Sequence, residues 1–520
     1  MRKLLRFITS RGFLTFVLIG LQITLFIWFF MWASLAASIV DWTTRILSYI
    51  AVIWIIGRPM SRSYKLIWCV SILVFPAFGG LFYILWGEKA ASHPQSKRLA
   101  RIVKRTDQLM SQEPRAVDEL KEQGQGGLSQ GRYLYHAGHF PVYDRTATRY
   151  LGSGQEKLAC LLADIESAER FIFLEYFLIE PGQMWGQVLD ALERKAAQGV
   201  EVRLMYDDIG CLMRTPRGYE QYLRDKGLKV EPFNRLTPQL TLLTNNRDHR
   251  KIVVIDGRVA YTGGINLADE YIDAVRPFGE DCYFKDSGVR LEGDAVWSFT
   301  VMFLRNWELC HSQRTKEGPE DYEQFRVDPA VAEGFVSDGY VVPYGDSPLD
   351  HEDIGENTYL NLINSAQDTL YMTTPYLIID DAMTTALCLA AKRGVDVRIV
   401  TPHIPDKKPT FLVTRAHYPQ LLANGVRVYE YTPGFIHSKL AVADGTVATV
   451  GTVNMDYRSF FLHFECGTWM YGSRCVGEVE RDIRTIFDQS EELSVQHHYA
   501  PKSYLVRVLQ ALLRVIAPLL

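Results

Sequence analysis

The sequence lacks the cysteine patterns that mark a disulfide framework or a structural metal. Its eight cysteines include no C-x-x-C pair and no spacing typical of a zinc site. We therefore expect reduced thiols packed in protein cores or in a membrane. We also expect that the protein needs no metal and no cofactor.

The chain also lacks an excess of positive charge. Its 520 residues include 56 lysines and arginines against 60 aspartates and glutamates, and the formal net charge is −4. A protein that follows nucleic acid phosphates usually carries a basic surplus or a basic patch. This balance argues against a nuclease, and we expect no nucleic acid partner. The length allows two or three domains.

Hydrophobic residues are concentrated near the N-terminus. The run Gly12–Val40 has no charged residue and exceeds the roughly 20 residues that cross a bilayer. A short apolar run, Ile46–Gly57, and a longer one, Leu66–Trp86, follow it. We predict a membrane anchor over residues 1–90 with two or three hydrophobic segments. The basic clusters cannot all lie inside if there are three crossings, whereas two crossings place both chain ends in the cytoplasm. We expect a multi-pass protein of the cell membrane whose catalytic domains face the cytoplasm.

Two further segments flank the soluble part of the chain. Residues 91–130 begin with a basic cluster and include EQGQGG, which predicts a juxtamembrane linker. Its charges either face solvent or contact anionic lipid headgroups. The tail, residues 501–520, places Lys502, Arg507 and Arg514 among leucines and valines. This pattern predicts an amphipathic C-terminal helix, with a plain core helix as the alternative.

A motif of the form H-x-K-x4-D occurs twice. The first copy consists of His249, Lys251 and Asp256, and the second of His437, Lys439 and Asp444. In both copies a glycine follows the aspartate after the same interval of six residues. These residue types are common, so one copy alone would be weak evidence. The repeat with an identical interval indicates two homologous halves that meet.

The sequence before each motif predicts the same fold. Two segments, which begin at Ile165 and Ile363, each indicate a buried strand, a loop, an amphipathic helix, a Gly-Val turn and a second buried strand. Such a β-α-β unit requires a parallel pair with a right-handed crossover. We therefore predict an α/β fold with two homologous sandwich domains, residues 131–335 and 336–500. The two domains share one active site and follow N-terminal transmembrane helices.

The repeated motif suits phosphodiester chemistry. The histidine and the lysine of each copy are two residues apart on a predicted strand, so both lie on one face. One imidazole can attack phosphorus while the other protonates the departing alkoxide, and the lysines can hold the non-bridging oxygens. An aspartate can fix the tautomer and orientation of the attacking histidine.

Four further polar residues are candidate substrate-binding groups. Asn266 and Asn454 come just after the glycine turns and are suited to donate amide hydrogen bonds to phosphate oxygens. Glu175 and Glu465 lie in apolar surroundings. Each of them either orients a histidine or pairs with a core arginine such as Arg458.

The sequence around the motifs carries a resemblance. Asn246-Arg247-Asp248 leads into the first histidine, residues 429–435 (YEYTPGF) lead into the second, and residues 454–462 (NMDYRSFFL) follow the second motif. With these segments, the hydrophobic N-terminus and the ending LLRVIAPLL, nearly the whole chain resembles the phospholipase D superfamily and, within it, the bacterial cardiolipin synthases. Three positions depart from the usual pattern: Gly264 and Thr452 replace serine, and His463 replaces asparagine.

The resemblance implies a reaction and a substrate. Two phosphatidylglycerol molecules would become cardiolipin and free glycerol through a phosphatidylated histidine, with no nucleotide-activated donor. We expect His249 to be the nucleophile and His437 the general acid and then base, and the reverse assignment stays open because the motifs are nearly symmetric. Two enzymatic alternatives share the intermediate: hydrolysis to phosphatidic acid, and transfer from another donor such as phosphatidylethanolamine. A membrane scaffold without activity is disfavoured, since both motifs are intact.

Overall fold

The computed structural model describes residues 20–25, 28, 35–58, 62–76, 78–80, 83, 94–123, 125–235, 246–311, 318–350, 352–494, 508–511 and 513–514. The chain forms two compact units. One comprises residues 1–90, 236–244 and 515–519, and the other, here called the main unit, comprises residues 91–235, 245–514 and 520.

Helices α1 (Leu35–Ile56) and α2 (Arg62–Val74) belong to the first unit. The second predicted apolar run belongs to α1, which extends back through Asp41 and Arg45, and their side chains pair at 2.8 Å. The third run begins within α2, which ends two residues before Pro76, a residue without a main-chain donor.

The predicted membrane crossings fall partly outside the residues described above. Within those residues, no helix combines the length and the apolar character needed to traverse a bilayer. Most of the first predicted run, Gly12–Val40, lies outside them, so the number of crossings stays a prediction. The predicted C-terminal helix is described only at residues 508–511 and 513–514, which are helical.

Residues predicted as a linker are mostly helical where the structure describes them, except for residues 111–113. They form α3 (Pro94–Thr106), α4 (Pro114–Gln123) and the start of α5 (Gln125–Gly138). These helices bury apolar side chains of the main unit, namely Leu99, Ile102, Ala116, Leu120, Leu128 and Leu134. One glycine of EQGQGG serves packing, because a Cβ at Gly127 would meet the Tyr471 ring at 2.7 Å.

The first half of the main unit is built on a seven-stranded sheet. The strands of this half are β1 (Thr146–Leu151), β2 (Phe171–Tyr176), β3 (Glu201–Asp207), β4 (Lys229–Phe233), β5 (Arg247–Asp248), β6 (Lys251–Ile255), β7 (Val259–Gly263), β8 (Tyr283–Lys285) and β9 (Gly288–Gly293). Its helices are α6 (Gly154–Glu166), α7 (Gln183–Ala197), α8 (Asp208–Cys211), α9 (Tyr219–Asp225) and α10 (Val296–His311).

The second half is built on a nine-stranded sheet. The strands of this half are β10 (Tyr340–Asp346), β11 (Thr369–Thr373), β12 (Asp396–Pro402), β13 (Arg427–Tyr431), β14 (Gly434–Ile436), β15 (Leu440–Ala443), β16 (Val447–Gly451), β17 (His463–Tyr471) and β18 (Ser490–Glu492). The helices from Pro329 onward are α11 (Pro329–Ala332), α12 (Ile354–Ser365), α13 (Asp381–Lys392), α14 (Lys408–Ala423), α15 (Tyr457–Phe461) and α16 (Arg474–Asp488).

The two sheets repeat one topology. The order β1-β9-β7-β6-β2-β3-β4 in the first matches β10-β17-β16-β15-β11-β12-β13 in the second, where β18 adds an edge. The predicted β-α-β units are β2-α7-β3 and β11-α13-β12, and each strand pair is parallel. The prediction of an α/β fold with two homologous halves is confirmed.

Two short ladders join the halves. Strand β5 of the first half pairs with β17 of the second, and β8 of the first pairs with β14 of the second. Helix α10, which is buried on nearly all sides, packs between strands of both sheets. Each motif histidine directly follows one of these ladder strands, so the ladders carry both histidines onto the opposite half.

Candidate active site

The first motif histidine is fixed by the second half of the chain. The His249 main-chain N–H donates to the Phe464 carbonyl at 2.9 Å. Its ring Nδ1 lies 2.9 and 3.0 Å from the two carboxylate oxygens of Glu465. Lys251 Nζ donates back to the His249 carbonyl at 2.6 Å. His249 and Lys251 therefore lie together, as the sequence predicts.

The second histidine is held in the same way by the first half. The His437 main-chain N–H donates to the Lys285 carbonyl at 2.7 Å, and Nδ1 lies 2.7 Å from Asp286 Oδ2. Lys439 Nζ donates to the His437 carbonyl and lies 3.0 Å from Nδ1. Each motif histidine is thus bonded to a carboxylate from the opposite half of the chain.

The two motifs are close enough to act on one another. The positive charge of Lys251 contributes to lowering the pKa of both His437 and Lys439. Thr262 Oγ1 and Cys466 Sγ, on strands of opposite halves, are 3.3 Å apart. The prediction of a single site shared by two halves agrees with these contacts.

Asp286 is the residue that the sequence analysis missed. A signal was available, because Asp286-Ser287-Gly288 and Glu465-Cys466-Gly467 both place a carboxylate two residues before a glycine at a buried strand. That resemblance is too short to find without the matching positions of β9 and β17 in the two sheets.

The three departures from the family pattern all lie around these carboxylates. Thr452 Oγ1 donates to Glu465, so threonine keeps the hydroxyl contact. A Cβ at Gly264 would lie 2.2 Å from Asp286 Oδ1, which requires glycine there. Neither ring nitrogen of His463, whose side chain is 10% exposed, has a hydrogen-bond partner within the described residues, and Nδ1 lies 3.8 Å from Glu465 Oε1.

The motif aspartates do not contact the histidines, which corrects the expectation that such an aspartate orients the nucleophile. Asp256 accepts the main-chain N–H groups of residues 169–171 at 2.8–2.9 Å. Asp444 does the same for residues 367–369. Both have φ of 52° in tight turns. Each carboxylate therefore ties a hairpin turn to the start of the neighbouring strand.

Replacement of Asp256 by alanine will lower stability rather than the chemical rate. Three charge-assisted hydrogen bonds are lost, and alanine is strained at a left-handed φ, so we expect destabilisation of about 2–4 kcal/mol. Asp256→Asn, which tolerates this φ, will lose less. Thermal unfolding of the detergent-solubilised protein measures the effect, with kcat per folded molecule measured alongside. An unshifted melting temperature with lost activity would contradict this role.

The two asparagines differ in their contacts. Asn266 is already engaged: its Oδ1 accepts the Leu178 N–H at 3.2 Å and its Nδ2 donates to the Tyr271 hydroxyl at 2.7 Å. Asn454 is buried, and its Oδ1 has no hydrogen-bond partner in the part of the chain described. The unpartnered atom of Asn454 is an acceptor, which suits a ligand hydroxyl rather than a phosphate oxygen.

Glu175 takes the second of the two roles considered for it. Its Oε1 lies 2.9 Å from Arg250 Nη2 and accepts Asn306 Nδ2 at 2.7 Å, so it pairs with a core arginine and does not touch a histidine. The second half has a neutral pair at the corresponding place, Thr373 and Ser438, with hydroxyls 2.9 Å apart. Glu175 is thus a support beneath the first motif.

Burial sets the protonation of the site. It lowers the pKa of His249 to about 3 and that of His437 to about 4, so both rings are neutral near pH 7. Burial raises the pKa of Glu465, but its interactions with the His249 and His463 rings outweigh burial, and the net pKa is lowered. An ionised carboxylate can only accept, so Nδ1–H donates and Nε2 keeps a free lone pair.

The motif lysines are also desolvated. Burial lowers the pKa of Lys251 to about 8 and of Lys439 to about 7. An anionic ligand between them would supply the opposite charge that favours their protonated forms. The site is therefore suited to a phosphate ester.

One group of side chains has the composition of a metal site. Ligand atoms of His249, His463 and Glu465 lie within 4.8 Å of one another. The oxygens of Glu465, however, already accept from His249, Thr452 and Ser459. A cation would have to displace these bonds and occupy a motif histidine. The arrangement fits histidine chemistry better than metal chemistry.

Comparisons with known proteins agree with this geometry. Residues 161–276 and 359–489 match the family described as "Cardiolipin synthase, PLD-like domain", and residues 46–88 match "Phospholipase_D-nuclease N-terminal". The fold resembles the crystal structure of phosphatidylserine synthase from Haemophilus influenzae, with a TM-score of 0.54 at 14% identity over 76% of this chain and 98% of that one.

Relatives match over most of their length. A protein of Streptococcus mutans is 40% identical over 90% of this chain and 99% of its own. Cardiolipin synthases of Alkalihalophilus pseudofirmus and Geobacillus kaustophilus are 32% and 33% identical over 88% and 87% of this chain, and over 88% of their own lengths. In each half of the chain, a motif histidine bonds to a carboxylate of the other half. Together with these matches, this geometry shows that the chain belongs to the cardiolipin synthase family of the phospholipase D superfamily.

Proposed function

We propose that the protein is a phosphatidyltransferase that makes cardiolipin from two molecules of phosphatidylglycerol. The observation that carries the proposal is the pair of buried imidazoles, each with Nδ1 at hydrogen-bond distance from a carboxylate of the other half. Within the described residues neither Nε2 atom has a hydrogen bond, so both are available for chemistry at phosphorus, and a motif lysine accompanies each histidine. Sequence similarity to cardiolipin synthases supports the choice of lipid.

The reaction takes two displacements at phosphorus. In the first, Nε2 of one histidine attacks the phosphodiester of phosphatidylglycerol. The bond to the headgroup glycerol breaks as the other histidine, protonated at Nε2 once the anionic lipid is bound, gives that proton to the leaving oxygen. In the second, a headgroup hydroxyl of another phosphatidylglycerol gives its proton to that histidine and attacks the phosphatidyl-histidine. Cardiolipin forms and the nucleophile is released.

We assign His249 as the nucleophile and His437 as the acid and then base. The reverse assignment uses the same geometry, because Glu465 and Asp286 hold the two rings alike. Each carboxylate stabilises the charge that develops on its imidazole, as in a serine hydrolase triad.

Lys251 and Lys439 would hold the non-bridging oxygens, where negative charge gathers in the transition state. Asn454 Oδ1 is suited to accept a hydrogen bond from a hydroxyl of the bound lipid. Negative charge on the bound lipid also favours protonation of the acid histidine, whose pKa burial holds low in the ligand-free site.

We further propose that the protein resides in the cell membrane through residues 1–90, with the catalytic halves on the cytoplasmic side. The uncharged run Gly12–Val40 and the family match at residues 46–88 support this placement. The domain limits proposed are residues 131–335 and 336–500. The balanced charge supports phospholipids, rather than nucleic acid, as partners.

An assay with phosphatidylglycerol as the sole lipid tests the proposal. Purified full-length protein in mixed micelles will release cardiolipin and glycerol in equal amounts. Phosphatidic acid as the main product would instead identify a hydrolase. A reaction that starts only when phosphatidylethanolamine is added would identify a different donor. The His249→Ala variant serves as the blank.

A further inference from the structure

A group of exposed apolar side chains follows strand β3. Ile209, Leu212 and Met213 are 36%, 37% and 90% exposed, and they lie within five residues of one another at α8 and the turn after it. A helix turn that served only to connect β3 to α9 would not need three large apolar residues in water. Clusters of this kind usually mark a contact with a partner or a membrane.

This turn is attached to the elements that carry His249. Asp207 accepts the N–H groups of Ile209 and Gly210, and its other oxygen accepts the N–H of Asp248, the residue before His249. Gly210 lies against the Phe177 carbonyl, where a Cβ would come within 2.2 Å. The Phe177 ring in turn contacts the His249 ring edge-on, with centroids 5.1 Å apart.

The same turn reaches the elements beside His437. Arg214 Nη1 lies 2.6 Å from Glu180 Oε2 and 4.0 Å from Glu270 Oε1. The next residue, Tyr271, contacts the His437 ring with centroids 5.8 Å apart. The turn therefore bridges the surroundings of both histidines.

Two more exposed apolar residues lie on the segments that contact His437. Val275, 53% exposed, follows Tyr271 by four residues, and Tyr283, 46% exposed, begins β8, the strand that leads to Asp286. Arg276 lies over the Tyr283 ring at 4.6 Å. We call the set Ile209, Leu212, Met213, Val275 and Tyr283 the rim.

We propose that the rim inserts into the lipid interface and holds the histidine pair at the level of the phospholipid headgroups. The inference rests on the proposed function, since it assumes that the substrate stays in a bilayer. A bilayer, unlike a protein partner, would also deliver the substrate to a site whose two histidines contact segments next to the rim. Exposed Arg217 and Arg276 fit this surface, because long cationic side chains reach phosphates beside inserted apolar groups.

The first test separates bilayer substrate from dispersed substrate. In the double variant Leu212→Gln with Met213→Gln, turnover of phosphatidylglycerol in reconstituted bilayers will fall at least 10-fold. Turnover of a short-chain phosphatidylglycerol below its micelle concentration will change less than 2-fold. Glutamine is neutral, so repulsion from anionic lipid cannot produce the loss. Leu389→Gln, at a leucine of α13 that is 51% exposed, is the matched control and will behave as wild type.

Equal losses on both substrates, or an equal loss in the control, would overturn the proposal. A wild-type protein that makes phosphatidic acid instead of cardiolipin would refute the proposed function, yet the ratio of bilayer to dispersed turnover would still test the rim. The two failures are therefore distinguishable.

The second test needs no turnover. The full-length Met213→Cys variant will react with a charged maleimide at two different rates. The reaction in phosphatidylglycerol bilayers will be at least 5-fold slower than the reaction of the same variant kept in solution by a polymer without lipid. Leu389→Cys will react equally in both, and the parent chain supplies the background of native cysteines. Unchanged labelling of Cys at position 213 would show that the rim stays in water and would overturn the proposal.

Discussion

His249→Ala and His437→Ala will each reduce turnover by at least about 10⁴-fold, since groups that act as a unit fail together when either is removed. Without the nucleophile no phosphatidyl-enzyme forms, and without the acid the glycerol leaves as an unprotonated alkoxide. The measurement is cardiolipin formation from phosphatidylglycerol at saturating lipid. His403→Ala is the control, since His403 is 43% exposed and bonds to Glu430 rather than to a residue of either motif.

The same pair of variants assigns the roles. A phosphate-labelled lipid will leave an acid-labile, base-stable label on wild type, as expected of a phosphohistidine ester. We expect the label to be absent from His249→Ala and present in His437→Ala. The opposite pattern would make His437 the nucleophile, and a fully active single variant would remove that histidine from the mechanism.

Asp286→Asn will reduce kcat by about 10²–10⁴-fold, the range expected when a carboxylate that orients a catalytic imidazole loses its charge. Asparagine keeps the shape of the side chain, but it no longer stabilises an imidazolium at His437 and no longer fixes the tautomer. KM will change less than about 3-fold, because Asp286 acts through His437 rather than on the lipid. Steady-state kinetics with full-length protein measures both constants.

Two comparisons make this result specific. Asp281→Asn, at an exposed aspartate five residues earlier, will retain wild-type kinetics. Glu465→Gln will reproduce the loss through His249. Normal kcat in Asp286→Asn with a severe loss in Glu465→Gln would mean that only the first histidine depends on a carboxylate.

The sequence was sufficient for the features that depend on local pattern. Repetition of His, Lys and Asp at one interval indicated two halves, and the apolar runs around Gly-Val turns predicted the parallel units β2-α7-β3 and β11-α13-β12. Such patterns are readable because alternation along a strand and the 3.6-residue period of a helix are local properties.

The partners of the histidines could not be read in this way. Glu465 lies 216 residues from His249, and Asp286 lies 151 residues from His437. Their contacts depend on the ladders β5–β17 and β8–β14, which no spacing reveals. Asp256 misled for the opposite reason, since its nearness in sequence suggested a triad while its φ of 52° turns the carboxylate toward the main chain of residues 169–171.

The packing role of Gly127 could not be predicted from composition either. A glycine-rich stretch usually signals a flexible connection, but this glycine lets α5 approach the Tyr471 ring more closely than any side chain would permit. Sequence composition could not separate the two uses, because the ring it faces lies far along the chain.

The exchanged carboxylates make the two halves mutually dependent for chemistry as well as for folding. A chain severed near residue 318 would yield one piece that has His249 and Asp286 but no Glu465, and another that has the reverse deficiency. Neither piece alone would own a complete catalytic pair, so recovered activity would rise with the product of the two concentrations. The duplication therefore did not create a second, independent active site, because each half supplies the carboxylate that the histidine of the other half needs.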